Sequence, residues 1–281
     1  MKFRDFVCVI IVLFSLPGLL CAQAGLKYVI VKRELVEERL RSFSKDDTER
    51  ESILKNMFGE AGCGEHISEY PVKHVKQPDL ACVLPGENER TIIVGAHFDH
   101  VSAGDGVVDN WSGASLLPSL YQGLHSRKPR HTFVFVSFSG EEQGELGSAS
   151  YVKNMTKEDV EHTLAMVNMD TLGLGTTAVW VSHSDPKLVS ALAGVAKVLK
   201  LPISAVNVEQ VGSTDSEQFA RRKIPRITLH SVTPETWTVL HSARDKLSAI
   251  KLNEYYDSYR LIGAYLTYLD QALDPEQTNP K

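Results

Sequence analysis

A small set of metal-competent side chains falls at matching places along this chain. His97 and Asp99 follow the apolar run Thr91-Ile-Ile-Val-Gly-Ala96, and Glu141 and Glu142 follow Thr132-Phe-Val-Phe-Val-Ser-Phe138. Asp170 ends the run Leu164-Ala-Met-Val-Asn-Met169, and His241 lies in the loop after the weaker run Ile227-Thr-Leu229. Asp109 stands in the stretch after His97. Singly, such residues are more often hydrogen-bonded strand ends, solvated turns or helix caps. Together they are a different matter, because carboxylates gathered in one place repel and a divalent cation removes the repulsion. Two imidazoles with carboxylates suit zinc better than calcium or magnesium, which prefer oxygen shells. The ligands are too many for one tetrahedral zinc. Two zincs roughly 3.5–4 Å apart use them all: His97 and Asp170 on one, Glu142 and His241 on the other, Asp109 bridging. Glu141 is left over beside a ligand, the place of a general base toward metal-bound water. Asp99 is positioned to accept the second ring N–H of His97 and fix its tautomer.

The elements that must position this set are short, continuous apolar runs, as expected for strands buried on both faces of a mainly parallel sheet. Ala178-Val-Trp-Val181 is a further run of that kind. Helical segments are expected between them, near 112–126, 144–154, 186–199 and 215–222. Asp185-Pro186 serves the third as cap and first turn. A closing helix is expected over about 253–273. The alternation argues for an α/β sandwich, and in open α/β sheets ligands bind at the carboxyl ends of strands. Upstream, the chain reads as helical, with Val36, Leu40 and Phe43 on one face and a second helix capped by Ser44. Two strand-like runs, 67–75 and 80–84, are expected to pair antiparallel.

Lys2 and Arg4 precede an apolar stretch, Phe6 to Leu20, that is followed by Ala22-Gln23-Ala24. This reads as a secretory signal peptide, residues 1–24, leaving one domain over 25–281 and an exported, periplasmic or extracellular product. No later apolar run reaches the roughly 18 residues of a membrane helix. The net charge of −5 excludes a generic nucleic-acid binder, which shows a basic surplus. Cys63 and Cys82 remain after the leader, and export permits a disulfide between them. Two cysteines cannot make a cysteine zinc site, so His and carboxylates must hold any metal. Gly173-Leu-Gly175 imitates a dinucleotide fingerprint but leads into a strand. Neither a His-Glu-x-x-His helix nor a Gly-x-Ser-x-Gly elbow occurs.

The pieces Gly95-Ala-His-Phe-Asp99, Asp109-Asn-Trp-Ser-Gly113, Ser139-Gly-Glu-Glu142, Asn168-Met-Asp170 and His241-Ser-Ala-Arg-Asp245 occur in this order. They resemble the secreted co-catalytic zinc aminopeptidases of peptidase clan MH, the aminopeptidase S and aminopeptidase Y family. The resemblance implies a mixed, mostly parallel eight-stranded sheet between helices and a cis peptide after Asp109. It implies two zinc ions on His97, Asp109, Glu142, Asp170 and His241, with Glu141 as base, acting on peptides with a free N-terminus. Ser213-Thr-Asp215 with Phe219 resembles a segment lining the family's cleft. Trp111, His100 and Leu240 depart from the family pattern, as does Pro118, which should kink or shorten its helix. No tyrosine is identifiable for the tetrahedral intermediate. The same fold also serves mono-zinc glutaminyl cyclases, the main alternative, and di-zinc carboxypeptidases. A catalytically inactive binding ectodomain is a third, although such relatives lose ligands that this chain retains.

Overall fold

The computed structural model describes residues 8–12 and 26–273. The expected leader, 1–24, lies outside the described residues except for β1 (Cys8–Val12), which pairs antiparallel with β2 (Leu26–Ile30). Then come α1 (Arg33–Arg41), α2 (Asp47–Glu60), β3 (Ile67–Tyr70), β4 (Asp79–Leu84) and β5 (Asn88–His97). A wide turn, Val107–Trp111, leads into α3 (Ser112–Ala114) and α4 (Leu117–His125). β6 (His131–Phe138), α5 (Leu146–Asn154), α6 (Lys157–His162), β7 (Thr163–Met169) and β8 (Ala178–Val179) follow. The chain ends with α7 (Pro186–Leu199), β9 (Ser204–Ala205), α8 (Ser216–Arg221), β10 (Arg226–His230) and α9 (Leu252–Ala272).

Eight strands form one sheet in the order β3-β4-β6-β5-β7-β10-β8-β9. The central four, β6, β5, β7 and β10, run parallel; β4 and β8 are antiparallel to the strands they flank. Period-two alternation splits each central strand between two cores. Ile92 and Val94 of β5, with Ala165 and Val167 of β7, face a large core built with Val36, Leu54, Leu120, Leu192 and Tyr265. Ile93 and Met166 face a smaller one with Val152, Phe219 and Ile224. Helices α1, α2, α4, α7 and α9 therefore cover one face, and α5, α6 and α8 the other. This is the α/β sandwich expected, and its eight-stranded mixed sheet matches what the resemblance implied.

Several local expectations change. The chain enters by β2 rather than directly by a helix. Asp46, not Ser44, caps α2, accepting the amides of Thr48 (2.8 Å) and Glu49 (3.0 Å), while Ser44 Oγ accepts the amide of Asp46 (3.0 Å). The segment expected as one helix over 112–126 is split, and Pro118 sits in the first turn of α4, where its missing N–H costs least. The run expected over 178–181 is a strand only at Ala178 and Val179, with the Trp180 amide still on Thr228 O (3.0 Å).

Cys63 and Cys82 form a disulfide, with Cα atoms 6.2 Å apart, joining the region after α2 to β4. Both are buried in the larger core. Closing a loop of this length contributes roughly 3 kcal/mol in the chain-entropy account. Alkylation of the denatured, unreduced protein should therefore label neither cysteine. The Cys63→Ala/Cys82→Ala variant should unfold with about 3 kcal/mol less stability in urea. Labelling of both thiols in the untreated protein rules the crosslink out.

Candidate metal centre

The four parallel strands end at one edge of the sheet, and their last residues or following loops carry the expected side chains. His97 closes β5, and Phe98 still donates to Phe138 O of β6 (3.0 Å). After β6 the chain turns at Gly140, whose φ of 67° is a conformation that favours glycine. That turn aims the amides of Glu141 (3.1 Å) and Glu142 (3.2 Å) at the two oxygens of Asp99. Asp170 follows β7, with its amide on Leu229 O (2.9 Å) of β10. His241 reaches back from the loop after β10 in the left-handed region, φ 51°.

Asp109 sits in the Val107–Trp111 turn, and the Asp109–Asn110 peptide is cis. Asp245 holds the turn from outside, accepting the amides of Val108 (2.7 Å) and Asp109 (3.1 Å). Asn110 holds it from inside. Its Nδ2 donates to Met169 O (2.8 Å), and its Oδ1 accepts the amides of Gly113 (2.9 Å) and Thr171 (3.1 Å). The Asp109 turn and the Asp170 strand end are thus stapled together. Asn110 is wholly buried, so its glycosylation-like Asn-Trp-Ser pattern is inaccessible in the fold.

The cluster is tight. His97 Nε2 lies 3.3 Å from Asp109 Oδ1, 3.6 Å from Asp170 Oδ1 and 4.0 Å from Glu141 Oε2. His241 Nε2 lies 3.3 Å from Asp109 Oδ2 and 3.0 Å from Glu142 Oε2. One carboxylate, Asp109, therefore turns one oxygen to each imidazole. Two groups of ligand atoms each fall within 4.8 Å of one another: His97 with Glu141 and Asp170, and His97 with Asp109 and Glu142. All the residues predicted for the site, catalytic and ligating, come together here.

The role expected for Asp99 is altered. His97 Nδ1 meets the main-chain carbonyl of Asp99 at 3.2 Å, and the Asp99 carboxylate stands back at 3.6 Å. Two amides outbid one ring N–H for that carboxylate. The tautomer of His97 is still fixed by residue 99, through its backbone.

Crowding shows in the proton affinities. Burial, reinforced by Asp215, Asp170 and Asp109 against the pull of His97, holds Glu141 well above the usual carboxylate range. Burial, with Asp109 beside it, pushes Glu142 up to about 8. Burial opposes a charge on His97, yet Glu141, Asp109, Asp170 and Asp99 together raise its pKa well above the usual value. The bond to Asp109 lifts His241 to about 9. Glu142 Oε1 is buried without a hydrogen-bond partner.

These groups form the floor of a cleft of about 190 Å³. Its wall carries the apolar Trp180, Val208, Val211, Val232, Trp237 and Leu240 beside the polar Thr171, Gln210, Ser213, Thr228 and His230. Trp237 is 41 % exposed and stands at the rim. Among the described residues lining the cleft there is no lysine, arginine or tyrosine. Trp111 does not narrow it; the indole is fully buried and donates to Arg39 O (3.2 Å). His100 is likewise committed elsewhere, to Asp47 (2.8 Å).

Two acidic residues gain roles that sequence reasoning did not assign. Asp215 is fully buried close to Glu141 and Asp170, and burial keeps its carboxyl well above its ordinary value. Asp245 carries the Asp109 turn. Both lie in quoted motifs, but spacing alone could not say what they face. Thr214, between Ser213 and Asp215, donates to Asp170 Oδ2 (2.7 Å) and accepts from Asn168 (2.7 Å).

Comparison with known proteins agrees with this architecture. A "Probable leucine aminopeptidase" of Arthroderma benhamiae is 26% identical over 207 residues, covering 62% of this chain and 56% of that protein. The chain thus spans about half the length of the curated relatives it matches. The crystal structure of the Legionella pneumophila LapA aminopeptidase superposes with a TM-score of 0.73 at 19% identity, over 87% of this chain and 73% of that one. A glutaminyl cyclase from an Acidobacteriales bacterium superposes with a TM-score of 0.71 at 15% identity, over 85% and 93%. At such identities the superpositions speak for the fold alone. The family model of Peptidase family M28 matches residues 79–266, a span that holds every strand-end residue of the cluster, and the chain belongs to that family.

Proposed function

We propose that the protein is an exported di-zinc aminopeptidase, removing the N-terminal residue from peptides. The observation that carries the reading is Asp109, one oxygen toward His97 and the other toward His241, with Asp170 and Glu142 on the outer sides. The donor set fits the metal: two imidazoles, three carboxylates and a buried, unpartnered Glu142 oxygen suit zinc. His97 and Asp170 would hold one ion and Glu142 and His241 the other, with Asp109 shared. Bound zinc supplies Lewis acidity and makes water acidic enough to yield a nucleophile near neutral pH.

The chain's own groups do the rest. Glu141, next to the ligands and raised in proton affinity by its surroundings, takes the proton of the attacking water and passes it to the leaving amine. Asp99 holds the Glu141 and Glu142 backbone still through two amides. The acidic floor suits a substrate's α-ammonium, while no lysine or arginine lines the described cleft to meet a C-terminal carboxylate, which favours the amino end over the carboxyl end. The wall of Trp180, Val208, Val211, Val232 and Leu240 suits an apolar side chain.

Glutaminyl cyclisation is the second reading. It stays open because a glutaminyl cyclase shares this fold over 93% of its own chain. Metal content separates the two. Dialysed protein titrated with zinc should take up two ions per chain and cleave aminoacyl amides. Uptake of one ion, with cyclisation of an N-terminal glutaminyl peptide, would transfer the assignment to the cyclase.

Glu141 and Glu142 can be told apart in the same way. Glu141→Gln should lower turnover on an aminoacyl amide by about 10²–10⁴ while both ions stay bound. Glu142→Gln should lose activity because occupancy of the second ion falls. Metal retained by the Glu142 variant and lost by the Glu141 variant would show that the roles are reversed.

A further inference from the structure

Arg50 lies on the inner face of α2, upstream of the segment matched by the family model. Its side chain is fully buried, and its guanidinium is spent on main-chain carbonyls. Nε donates to Ser44 O (2.6 Å), Nη1 to Phe98 O (2.9 Å), and Nη2 to both Asp105 O (2.7 Å) and Gly106 O (3.0 Å). Phe98 and Gly106 are the two ends of the loop that separates His97 from Asp109. One rigid planar group therefore spans that loop.

The surroundings are built to admit it. The Arg50 guanidinium carbon lies 5.6 Å from the centre of the Trp111 ring, two residues past Asp109. Gly106 has φ 57°, and a Cβ there would come within 2.7 Å of Arg50 Nη2 and would also strike His100. Across the turn, Asp245 takes the amides of Val108 and Asp109. The Asp109 turn and the loop before it are thus held by two buried charged residues, Arg50 and Asp245. Trp111, a departure from the family pattern, is explained as the surface on which the guanidinium rests.

We propose that Arg50 is a positioning residue for the metal cluster, setting the separation of His97 and Asp109 by binding both ends of the loop between them. The assignment presupposes that His97 and Asp109 ligate metal. A planar fork with five donors can reach several carbonyls at once, whereas a lysine ammonium is a compact point charge and cannot span them.

The test uses zinc-free full-length protein titrated with zinc against a chromophoric chelator, with thermal melts of the same samples. Wild type is compared with Arg50→Gln, Arg50→Lys and a control, Arg39→Gln. Arg39 is also buried in the N-terminal layer, but its side chain bonds Ser119 (2.8 Å) and Gln122 (2.9 Å) rather than the loop. Zinc affinity should fall about 10–100-fold in Arg50→Gln, the usual worth of a group that orients a ligand, and by an intermediate factor in Arg50→Lys. The visible spectrum of cobalt-loaded Arg50→Lys should shift from that of wild type. Arg39→Gln should melt earlier and bind zinc as wild type does. Wild-type affinity and an unchanged cobalt spectrum in Arg50→Lys overturn the proposal, even if Arg50→Gln fails to fold. Failure of the wild type itself to bind zinc overturns instead the metal reading on which the proposal stands.

Discussion

Asp99, Asp109, Glu141, Glu142, Asp170 and Asp215 crowd the carboxyl edge of four parallel strands, and carboxylates brought together out of water repel. Most of the surrounding structure can be understood as the answer to that repulsion. Asp99 is met by two amides, Asp170 by the hydroxyls of Thr171 and Thr214, and Asp109 by two imidazoles. Glu141, Glu142 and Asp215 are left with raised proton affinities, and their burial is the leading cause in each case. The negative charge that the protein does not itself offset is therefore localised beside the two imidazoles. That is where divalent cations would act most strongly, because the local dielectric is low and the donors are fixed in place.

Fixity comes from clamps that join segments far apart in sequence. Asp99 ties the end of β5 to the loop after β6. Asn110 ties the Asp109 turn to the end of β7. Thr214 ties Asp170 to the segment before α8, and Asp245 ties the His241 loop to the Asp109 turn. Each joins segments far apart in sequence, so no single loop carries the geometry alone. A site built this way is pre-organised by its supports rather than by the ligands themselves.

The central sheet was legible because its strands are buried on both faces and so read as unbroken apolar runs. The residues at the strand ends were legible for the same reason: once the strands are placed, their carboxyl ends are known. What escaped depends on three-dimensional direction rather than on residue type. The amides of Glu141 and Glu142 point at Asp99 only because Gly140 adopts a positive φ, so the carboxylate was assigned to the His97 ring instead. The cap of α2 was placed two residues early, since Ser44 and Asp46 are both good caps and the choice turns on local hydrogen bonds. Helix α6 carries a capping box, Thr156 with Asp159, but is too short to show an apolar stripe. β9 is two exposed residues and has no sequence signal.

The N-terminal layer is the part whose importance was least visible. Residues 26–78 fall before the family match, yet contacts from four of them converge on the stretch from Phe98 to Trp111. Arg50 binds both ends of the loop, Asp47 pairs with His100, Lys45 pairs with Asp105 at 2.6 Å, and Arg39 O receives the Trp111 indole. The exposed Lys45 pair contributes little, but the buried contacts of Arg50 and Trp111 are of the costly-to-break kind. The Cys63–Cys82 disulfide anchors this layer to β4, inside the matched segment. In this chain the loop between His97 and Asp109 is accordingly shaped from both sides: by the strand edge that the family shares, and by an N-terminal helix that supplies a buried cation. The matched segment alone contains every strand-end residue of the cluster but lacks one of the supports that set their spacing.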